Sequence, residues 1–305
     1  MELSYTLFDQ TADALGCPRL ENEPMRRHTT FQIGGPADRF VTVETLPQLK
    51  GLVGALAETG LPFMTLGKGS NLLVSDKGIR GAVLLLSGEL KRVELLPGGF
   101  VRAGAGASLA SVCAFARERG LSGLEFAWGI PGSVGGAAYM DAGAYGGEMK
   151  DVIERVLHLS PSGEEGQATG EQLQFAYRKS RYTGGRDVIT FVDFRLQPGD
   201  PVQIAGKMEE LMGRRKEKQP YEMPSAGSVF KRPQGAYAAA LIEECGLKGR
   251  QVGGAQVSPK HAGFIVNTGG ATCQDVLELI RQIQEEVFEK KGIRLEPEIR
   301  VTGEV

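Results

Sequence analysis

The sequence predicts an α+β protein. Its first third alternates strand and helix patterns, its middle third consists mainly of short strands separated by turns, and its last third contains a long helix followed by a strand. Apolar residues recur about every 3.6 positions on a buried helix face and every second position on a strand, which separates the two kinds of element. The 305 residues are enough for two or three domains, each with its own core.

A strand–helix–strand–strand unit is predicted first. The strand at 38–44 leads into a helix at 46–60, whose apolar residues fall on one face and which Gly60 ends. Strands at 63–67 and 81–86 follow, and a Gly-rich turn lies between them.

The middle third is richer in strands. Two short strands flank a Pro-Gly-Gly turn within 91–106, and a helix follows at 108–120 with Ser108 as its N-cap. After a long Gly-rich stretch, strands are predicted at 152–161 and 187–198, because apolar and polar residues alternate there.

The last third begins near 199–201 with a helix that ends in basic residues. The clearest helix of the chain is predicted at 272–292, where Thr272 and Asp275 resemble a capping box. The segment 293–303 is then predicted as a strand. Three alternate residues share one face of that strand: Glu296, Glu298 and Arg300.

Composition and charge argue against several classes of protein. The net charge is −2, so no basic field is present to bind nucleic acid. The three histidines lie far apart and the four cysteines form no C-x-x-C pair, so no metal site is predicted and the thiols indicate a cytosolic protein. The N-terminus lacks a signal-peptide pattern, and the longest apolar run falls far short of the ~20 residues that span a membrane. We therefore expect a soluble, cytoplasmic protein with no membrane partner.

Glycine is the compositional outlier, with 43 of 305 residues, about twice the usual ~7%. The sequence holds no P-loop, and its runs GKGSNL and GAGASL have Leu where a Rossmann fingerprint needs its third Gly. The loops at 66–76 and 129–136 still offer successive backbone N–H groups that can hold a diphosphate. Simple tight turns are the alternative, but two such loops, each after an apolar segment, favour a bulky anionic cofactor.

Ser228 lies in the stretch PSAGSVFKRP and could be a turn residue, a nucleophile or a proton donor beside an anion site. A G-x-S-x-G nucleophile would need Gly at two positions where the chain has Ala226 and Phe230. The neighbouring Lys231 and Arg232 suggest an anionic substrate. A turn serine in a basic loop remains the alternative.

Two further polar residues are candidates for substrate binding. Arg178 lies between two tyrosines in FAYRKSRY, and arginine binds carboxylates and phosphates through a bidentate fork. A solvated basic loop is the alternative for this segment. Glu298 is most simply an exposed strand residue paired with Arg300.

Seven stretches together resemble one family. They occur in the order HTTFQIGGPAD, LGKGSNLLVSDKGIRG, GIPGSVGGAAYMDAGAYGGE, FAYRKSRY, PSAGSVFKRP, HAGFIVN and LEPEIRV. This order is similar to that of the UDP-N-acetylenolpyruvoylglucosamine reductases, and the short spacing between Arg178 and Ser228 resembles their compact subtype. The resemblance implies an FAD-binding fold of the vanillyl-alcohol-oxidase (PCMH) type in two subdomains plus an α+β substrate-binding domain. The implied division is 1–90 with 298–305 for the first subdomain, 91–199 for the second, and 200–297 for the substrate-binding domain.

The resemblance also implies a cofactor and a reaction. FAD would be bound non-covalently, NADPH would reduce it and leave, and UDP-N-acetylglucosamine enolpyruvate would then be reduced to UDP-N-acetylmuramate, a peptidoglycan precursor. The only implied partner is this small-molecule nucleotide sugar. The implied FAD-binding residues are Gly67, Lys68, Gly69, Ser70, Asn71, Leu72, Pro131, Gly132, Ser133, Gly135, Gly136, Ala142 and Gly143. The alternatives are another flavin oxidoreductase of the same superfamily, acting on a sugar or an alcohol, and a nucleotide-binding protein without catalysis.

The resemblance assigns roles to the polar candidates. Arg178 and Glu298 match residues that bind and polarise the substrate carboxylate, and Ser228 matches a proton donor. Glu298 can help only if it is protonated or acts through a neighbour, because a bare carboxylate would repel the developing charge. The candidate substrate-binding residues are Lys218, Lys231 and Arg232, the basic residues that flank Ser228. The chain departs from the commoner pattern at Asp141, where Asn is more usual, and at Ser133, where Thr is more usual.

Overall fold

The computed structural model describes residues 2–304, which form two compact units. The first unit comprises 2–21, 39–68 and 81–214, and the second comprises 22–38, 69–80 and 215–304. Each unit has its own apolar core. The three-domain division stays a prediction.

The helices are α1 (Glu2–Ala14), α2 (Leu46–Thr59), α3 (Leu109–Glu118), α4 (Val134–Met140), α5 (Pro201–Lys218), α6 (Ala238–Glu244) and α7 (Cys273–Lys291). The strands are β1 (Arg19–Pro24), β2 (Pro36–Val43), β3 (Phe63–Leu66), β4 (Leu72–Val74), β5 (Ile79–Leu86), β6 (Val93–Leu95), β7 (Phe100–Gly104), β8 (Leu121–Ser122), β9 (Gly143–Ala144), β10 (Gly147–Glu148), β11 (Ile153–Leu159), β12 (Glu165–Thr169), β13 (Val188–Arg195), β14 (Gln197–Pro198), β15 (Ser225–Ser228), β16 (Gln251–Val252), β17 (Ala255–Val257), β18 (Phe264–Asn267) and β19 (Arg300–Thr302).

An antiparallel sheet of order β12-β11-β13-β7-β6 lies at the centre of the first unit. Val101, Val156 and Val192 extend from three of its strands into the core and are fully buried. Helix α4 packs on β13 and β7. The Gly-rich loop that precedes α4 is therefore anchored to this sheet.

A second sheet has the order β1-β2-β5-β3, in which β3 runs parallel to β5. Helix α2 lies between β2 and β3 in the chain and has well-formed ends. Thr45 and Gln48 form a capping box at its start, and Gly60, with φ +67°, ends it in the left-handed conformation that glycine adopts most easily.

The second unit is built on an antiparallel sheet of order β15-β18-β17-β16, against which α7 packs. Thr272 and Asp275 form the predicted capping box of α7. The carboxylate of Asp76 accepts two further hydrogen bonds, from the N–H groups of Cys273 (2.8 Å) and Gln274 (3.1 Å). A carboxylate in this position also opposes the positive end of the helix dipole.

The helices predicted at 46–60, 108–120 and 272–292 are confirmed to within a residue or two at each end. The strand predicted at 293–303 is wrong in its extent, since β19 covers only Arg300–Thr302. Pro297 explains the difference, because it has no N–H group with which to continue a ladder. The segment before β19 makes one isolated bridge instead, between Pro297 and Phe230.

The sheet of the first unit contains one buried charge cluster. Asp193 is 1% exposed and accepts hydrogen bonds from Arg102 (2.7 and 2.9 Å) and Arg155 (2.8 Å). Burial raises the pKa of Asp193, but the hydrogen bonds from the two guanidinium groups outweigh it and hold the pKa below its usual value.

We predict that Asp193→Asn destabilises the protein by about 1.5–3 kcal/mol, because it removes the buried charge that accepts hydrogen bonds from two partly exposed guanidinium groups. Glu154→Gln is the matched control. It breaks an ion pair with Arg195 on the same two strands, but that pair is exposed and should contribute under about 1 kcal/mol. Urea unfolding measures both, and equal losses in the two variants would contradict the prediction.

Candidate functional site

The first Gly-rich loop follows β3 and leads into β4. Within residues 2–304, the backbone N–H groups of Gly69 and Ser70 donate no hydrogen bond. Gly69 is buried and has φ +60°, and a Cβ on it would lie 2.3 Å from the carbonyl oxygen of His28. Buried amides without acceptors are rare in folded proteins, and successive open amides bind anions. This loop therefore fits a diphosphate.

The second Gly-rich loop uses its amides within the protein. The N–H groups at the start of α4 donate to Ala107 O (2.8 Å), Ala105 O (2.8 Å) and Ser133 Oγ (3.3 Å). Ser133 is the N-cap of α4 and also contacts the first loop, because a Cβ on Gly67 would lie 2.0 Å from its Oγ. The two loops therefore meet in the first unit at Gly67 and Ser133, and the open amides lie on the first loop.

The other residues predicted to bind FAD differ in their surroundings. In the second unit, Asn71 donates from Nδ2 to Glu298 O (3.2 Å), and Leu72 begins β4. In the first unit, Ala142 O accepts from Met149 N–H (3.0 Å), and Gly143 begins the β9–β10 hairpin. Of the remaining residues predicted to bind FAD, Lys68 and Pro131 are exposed, and the other two are Gly132 and Gly136.

Asp141 ends α4 in a left-handed conformation, with φ +47°, and is 0% exposed. Its Oδ1 accepts from Lys150 N–H (2.9 Å), whereas its Oδ2 is buried without a hydrogen-bond partner among the described residues. Burial raises the pKa of Asp141, with a further upward effect from Glu148 that the Lys150 hydrogen bond opposes. Asp141 therefore makes a structural contact, to the backbone of Lys150, through a carboxyl group whose pKa is raised by its buried surroundings.

In the second unit, the segments that carry Ser228 and Glu298 are hydrogen-bonded to each other. Val229 O accepts from Glu298 N–H (2.7 Å), and Lys231 N–H donates to Glu296 O (2.8 Å). The hydroxyl of Ser228, at the end of β15, donates to Phe230 O at 3.2 Å. Both side chains are partly exposed, so a ligand can reach them.

The predicted substrate-binding cations differ in their surroundings. Lys231 Nζ lies 2.8 Å from a carboxylate oxygen of Glu296, so its charge is already paired. Arg232 is exposed, and its guanidinium carbon lies 4.0 Å from the ring centroid of Tyr237. Lys218 is exposed at the end of α5.

Arg178 lies in the first unit at the tip of a tight turn. Ala176 and Lys179 exchange backbone hydrogen bonds of 2.9 and 2.8 Å across this turn. Arg178 has φ +56°, an uncommon conformation for a residue with a side chain. Its guanidinium donates to Gly143 O (3.3 Å) and lies 4.9 Å from the ring centroid of Tyr177.

Sequence comparison finds close relatives over most of the chain. The UDP-N-acetylenolpyruvoylglucosamine reductase of Caldanaerobacter subterraneus subsp. tengcongensis is 50% identical and that of Geobacillus kaustophilus 47%, each over 93% of both chains. The crystal structure of the reductase from Thermus caldophilus is 41% identical, with a TM-score of 0.81 over 94% of this chain and 98% of that chain.

Two family models divide the chain between them. Residues 37–167 match "FAD binding domain", and this range contains both Gly-rich loops. The fold and these loops therefore define a flavin-dependent oxidoreductase with FAD as its cofactor. Residues 219–302 match "UDP-N-acetylenolpyruvoylglucosamine reductase, C-terminal domain". The chain belongs to the UDP-N-acetylenolpyruvoylglucosamine reductase family, which confirms the resemblance, the α+β FAD-binding fold and the cofactor. Across residues 2–304, no helix is both long and apolar enough to cross a bilayer.

We predict that Asp141→Asn stabilises the protein at pH 8. In the folded protein the pKa of Asp141 is raised. The stability that its carboxyl group contributes is therefore fully present below the unfolded-state pKa of about 3.8, and it is lost as the pH rises through the folded-state pKa. Above that pKa the buried charge costs on the order of 1 kcal/mol or more.

Thermal unfolding between pH 4 and pH 8 tests this, and the gain should shrink as the pH falls. Glu209→Gln is the control, because it neutralises an exposed carboxylate in the middle of α5 that has no part in raising the pKa of Asp141, and it should not stabilise the protein at pH 8. A gain that does not depend on pH contradicts the prediction for Asp141.

We predict that Gly136→Ala weakens FAD binding. Gly136 is an exposed residue in α4, and an added Cβ would lie 3.3 Å from Ser133 Oγ and narrow the space proposed for the cofactor, whatever it adds to helix propensity. Gly206→Ala in α5 is the matched control, since nothing lies within 4 Å of its Cβ position. Titration of both apoproteins with FAD, followed by flavin fluorescence, should show several-fold weaker binding in Gly136→Ala alone. Equal FAD affinities would contradict the prediction.

Proposed function

We propose that this protein catalyses the NADPH-dependent, FAD-mediated reduction of UDP-N-acetylglucosamine enolpyruvate to UDP-N-acetylmuramate, a step of peptidoglycan precursor synthesis in the cytoplasm. One observation carries the proposal. In the second unit, Glu298 is hydrogen-bonded through its backbone both to Val229, next to Ser228, and to Asn71 of the first Gly-rich loop. A proton donor, a carboxyl group and a cofactor loop are thus held on joined segments.

The residues proposed to hold the FAD diphosphate are those of the first loop. The open amides of Gly69 and Ser70 supply donors without a positive side chain, and Ser133 borders this loop at Gly67. When bound, FAD would take a hydride from NADPH and give it to the terminal methylene carbon of the enolpyruvyl ether.

Ser228 is proposed to deliver the proton that completes the reduction. Negative charge develops on the carbon that bears the carboxylate, and a hydroxyl beside that carbon can protonate it. The Ser228 hydrogen bond to Phe230 O is long, at 3.2 Å, so exchanging this acceptor for a substrate atom costs little. Sequence alone left a turn serine as the alternative, and the pairing with the Glu298 segment favours the proton donor.

Arg178 and Glu298 are proposed to act on the substrate carboxylate. The Arg178 guanidinium makes a 3.3 Å hydrogen bond to Gly143 O, and the planar fork of an arginine matches the geometry of a carboxylate. Fixed positive charge and hydrogen-bond donors of this kind stabilise a developing enediolate by several kcal/mol. Glu298 contributes in its protonated form or through a neighbour.

The substrate's diphosphate is proposed to bind the basic residues of the second unit. Arg232 and Lys218 are exposed, and Lys231 forms an ion pair with Glu296. The proposal covers all three residues.

We predict that NADPH still reduces the flavin of Ser228→Ala. Reoxidation of this flavin by the enolpyruvyl substrate should be slower by on the order of 10²–10⁴-fold. Ser225→Ala is the matched control, because this serine lies on the same strand β15 and has no assigned role. Anaerobic single-turnover absorbance at the flavin bands follows each half-reaction separately.

The outcomes separate the parts of the proposal. Wild-type reoxidation in Ser228→Ala removes the proton-donor role but leaves the reductase. In another outcome, NADPH reduces the flavin of the wild-type protein and O₂ reoxidises it rapidly, but the enolpyruvyl substrate does not reoxidise it. The protein is then an oxidase acting on another sugar or alcohol.

A further inference from the structure

Tyr182 anchors the segment that carries Arg178. It lies four residues further along and is 1% exposed. Its hydroxyl lies 3.0 Å from Nδ1 of His158, and the two rings meet edge to face with centroids 5.5 Å apart. His158 belongs to β11, inside the five-stranded sheet. The pair therefore joins an irregular segment to the core of the first unit.

The surroundings of His158 favour a neutral imidazole. Burial lowers the pKa of His158 and Arg181 adds to that effect, whereas Asp187 and the backbone of Val156 oppose it. Nε2 lies 3.7 Å from a carboxylate oxygen of Asp187, so the short contact of the ring is the one with Tyr182. A neutral imidazole and a phenol can each donate or accept, and the tautomer sets which of the two donates.

The turn at Arg178 depends on such anchors. Its two cross-turn hydrogen bonds close the turn on itself, and the left-handed conformation of Arg178 is one that a non-glycine residue keeps only when its surroundings fix it. Further along the segment, Ser180 Oγ donates to Tyr139 O (2.7 Å) and Arg181 N–H donates to Leu173 O (2.9 Å). Tyr182 adds a large buried ring and a bond to the sheet.

We propose that Tyr182 and His158 are positioning residues, whose hydrogen bond fixes the segment 176–182 and thereby aims the Arg178 guanidinium at the substrate carboxylate. This inference rests on the role proposed above for Arg178. A displacement of about 1 Å in a group that orients a substrate can slow a reaction by roughly 10²-fold. A buried hydroxyl four residues away can therefore affect the rate without touching the substrate.

Tyr182→Phe removes the hydroxyl and keeps the ring. We expect reduction by NADPH to stay within about twofold of wild type and reoxidation by the enolpyruvyl substrate to slow by about tenfold. Tyr5→Phe is the matched control, because the Tyr5 hydroxyl accepts a 3.0 Å hydrogen bond from Gly81 N–H in the same unit but lies outside the Arg178 segment. If the Tyr182 hydrogen bond were only structural, both variants would have a lower melting temperature and neither would be reoxidised more slowly.

Two variants of His158 decide the matter even if Tyr182→Phe fails to fold. His158→Asn keeps a hydrogen-bonding group near the Nδ1 position and should retain reoxidation, whereas His158→Leu removes the partner of Tyr182 and should slow reoxidation as Tyr182→Phe does. Wild-type reoxidation in Tyr182→Phe, or equal rates in the two His158 variants, would overturn the proposal. If the wild-type enzyme itself is not reoxidised by the enolpyruvyl substrate, the proposed function fails instead.

Discussion

The pairing of the C-terminal segment 296–302 is the constraint on which the candidate site of the second unit depends. On one side this segment bonds to 229–231, and on the other β19 runs parallel to β4, where Arg300 N–H donates to Asn71 O (2.9 Å). Backbone bonds on both sides allow a single register. The positions of Ser228, Glu298 and Asn71 follow from that register rather than from contacts between their side chains.

Pro297 shapes this arrangement. It supplies no N–H group, so the segment makes one isolated bridge at Phe230 instead of a continuous ladder. The residue after it, Glu298, uses its N–H and C=O for Val229 and Asn71, which fixes its backbone while its side chain stays partly exposed. A continuous strand through 293–303 would also give these backbone groups hydrogen-bond partners, but it would lack the interruption that Pro297 makes in the ladder.

Local signals in the sequence were enough to predict the regular elements, but they were not enough to predict the site. The capping box at Thr272 and the apolar periodicity of α2 depend on residues close in the chain, and both predictions are confirmed. The pairing of Ser228 with the Glu298 segment joins distant parts of the chain, and only the resemblance to a family indicated it. Sequence also predicted anion-binding amides in both Gly-rich loops, but which amides stay open depends on tertiary acceptors such as Ala105 O and Ala107 O. The pair Tyr182–His158 was missed for the same reason.

The first unit places two energetically costly features on either side of Gly143. Among the described residues, Asp141 Oδ2 is buried without a hydrogen-bond partner, and Arg178 has a left-handed backbone. Each such feature costs on the order of 1–3 kcal/mol. Asp141 Oδ1 accepts from Lys150 N–H and Ala142 O accepts from Met149 N–H, and these bonds close the hairpin whose Gly143 O accepts from Arg178. The Asp141 carboxyl group and the Arg178 guanidinium therefore contact the same hairpin. Neither feature lowers the free energy of folding by itself, which agrees with the role proposed above for the orientation of Arg178.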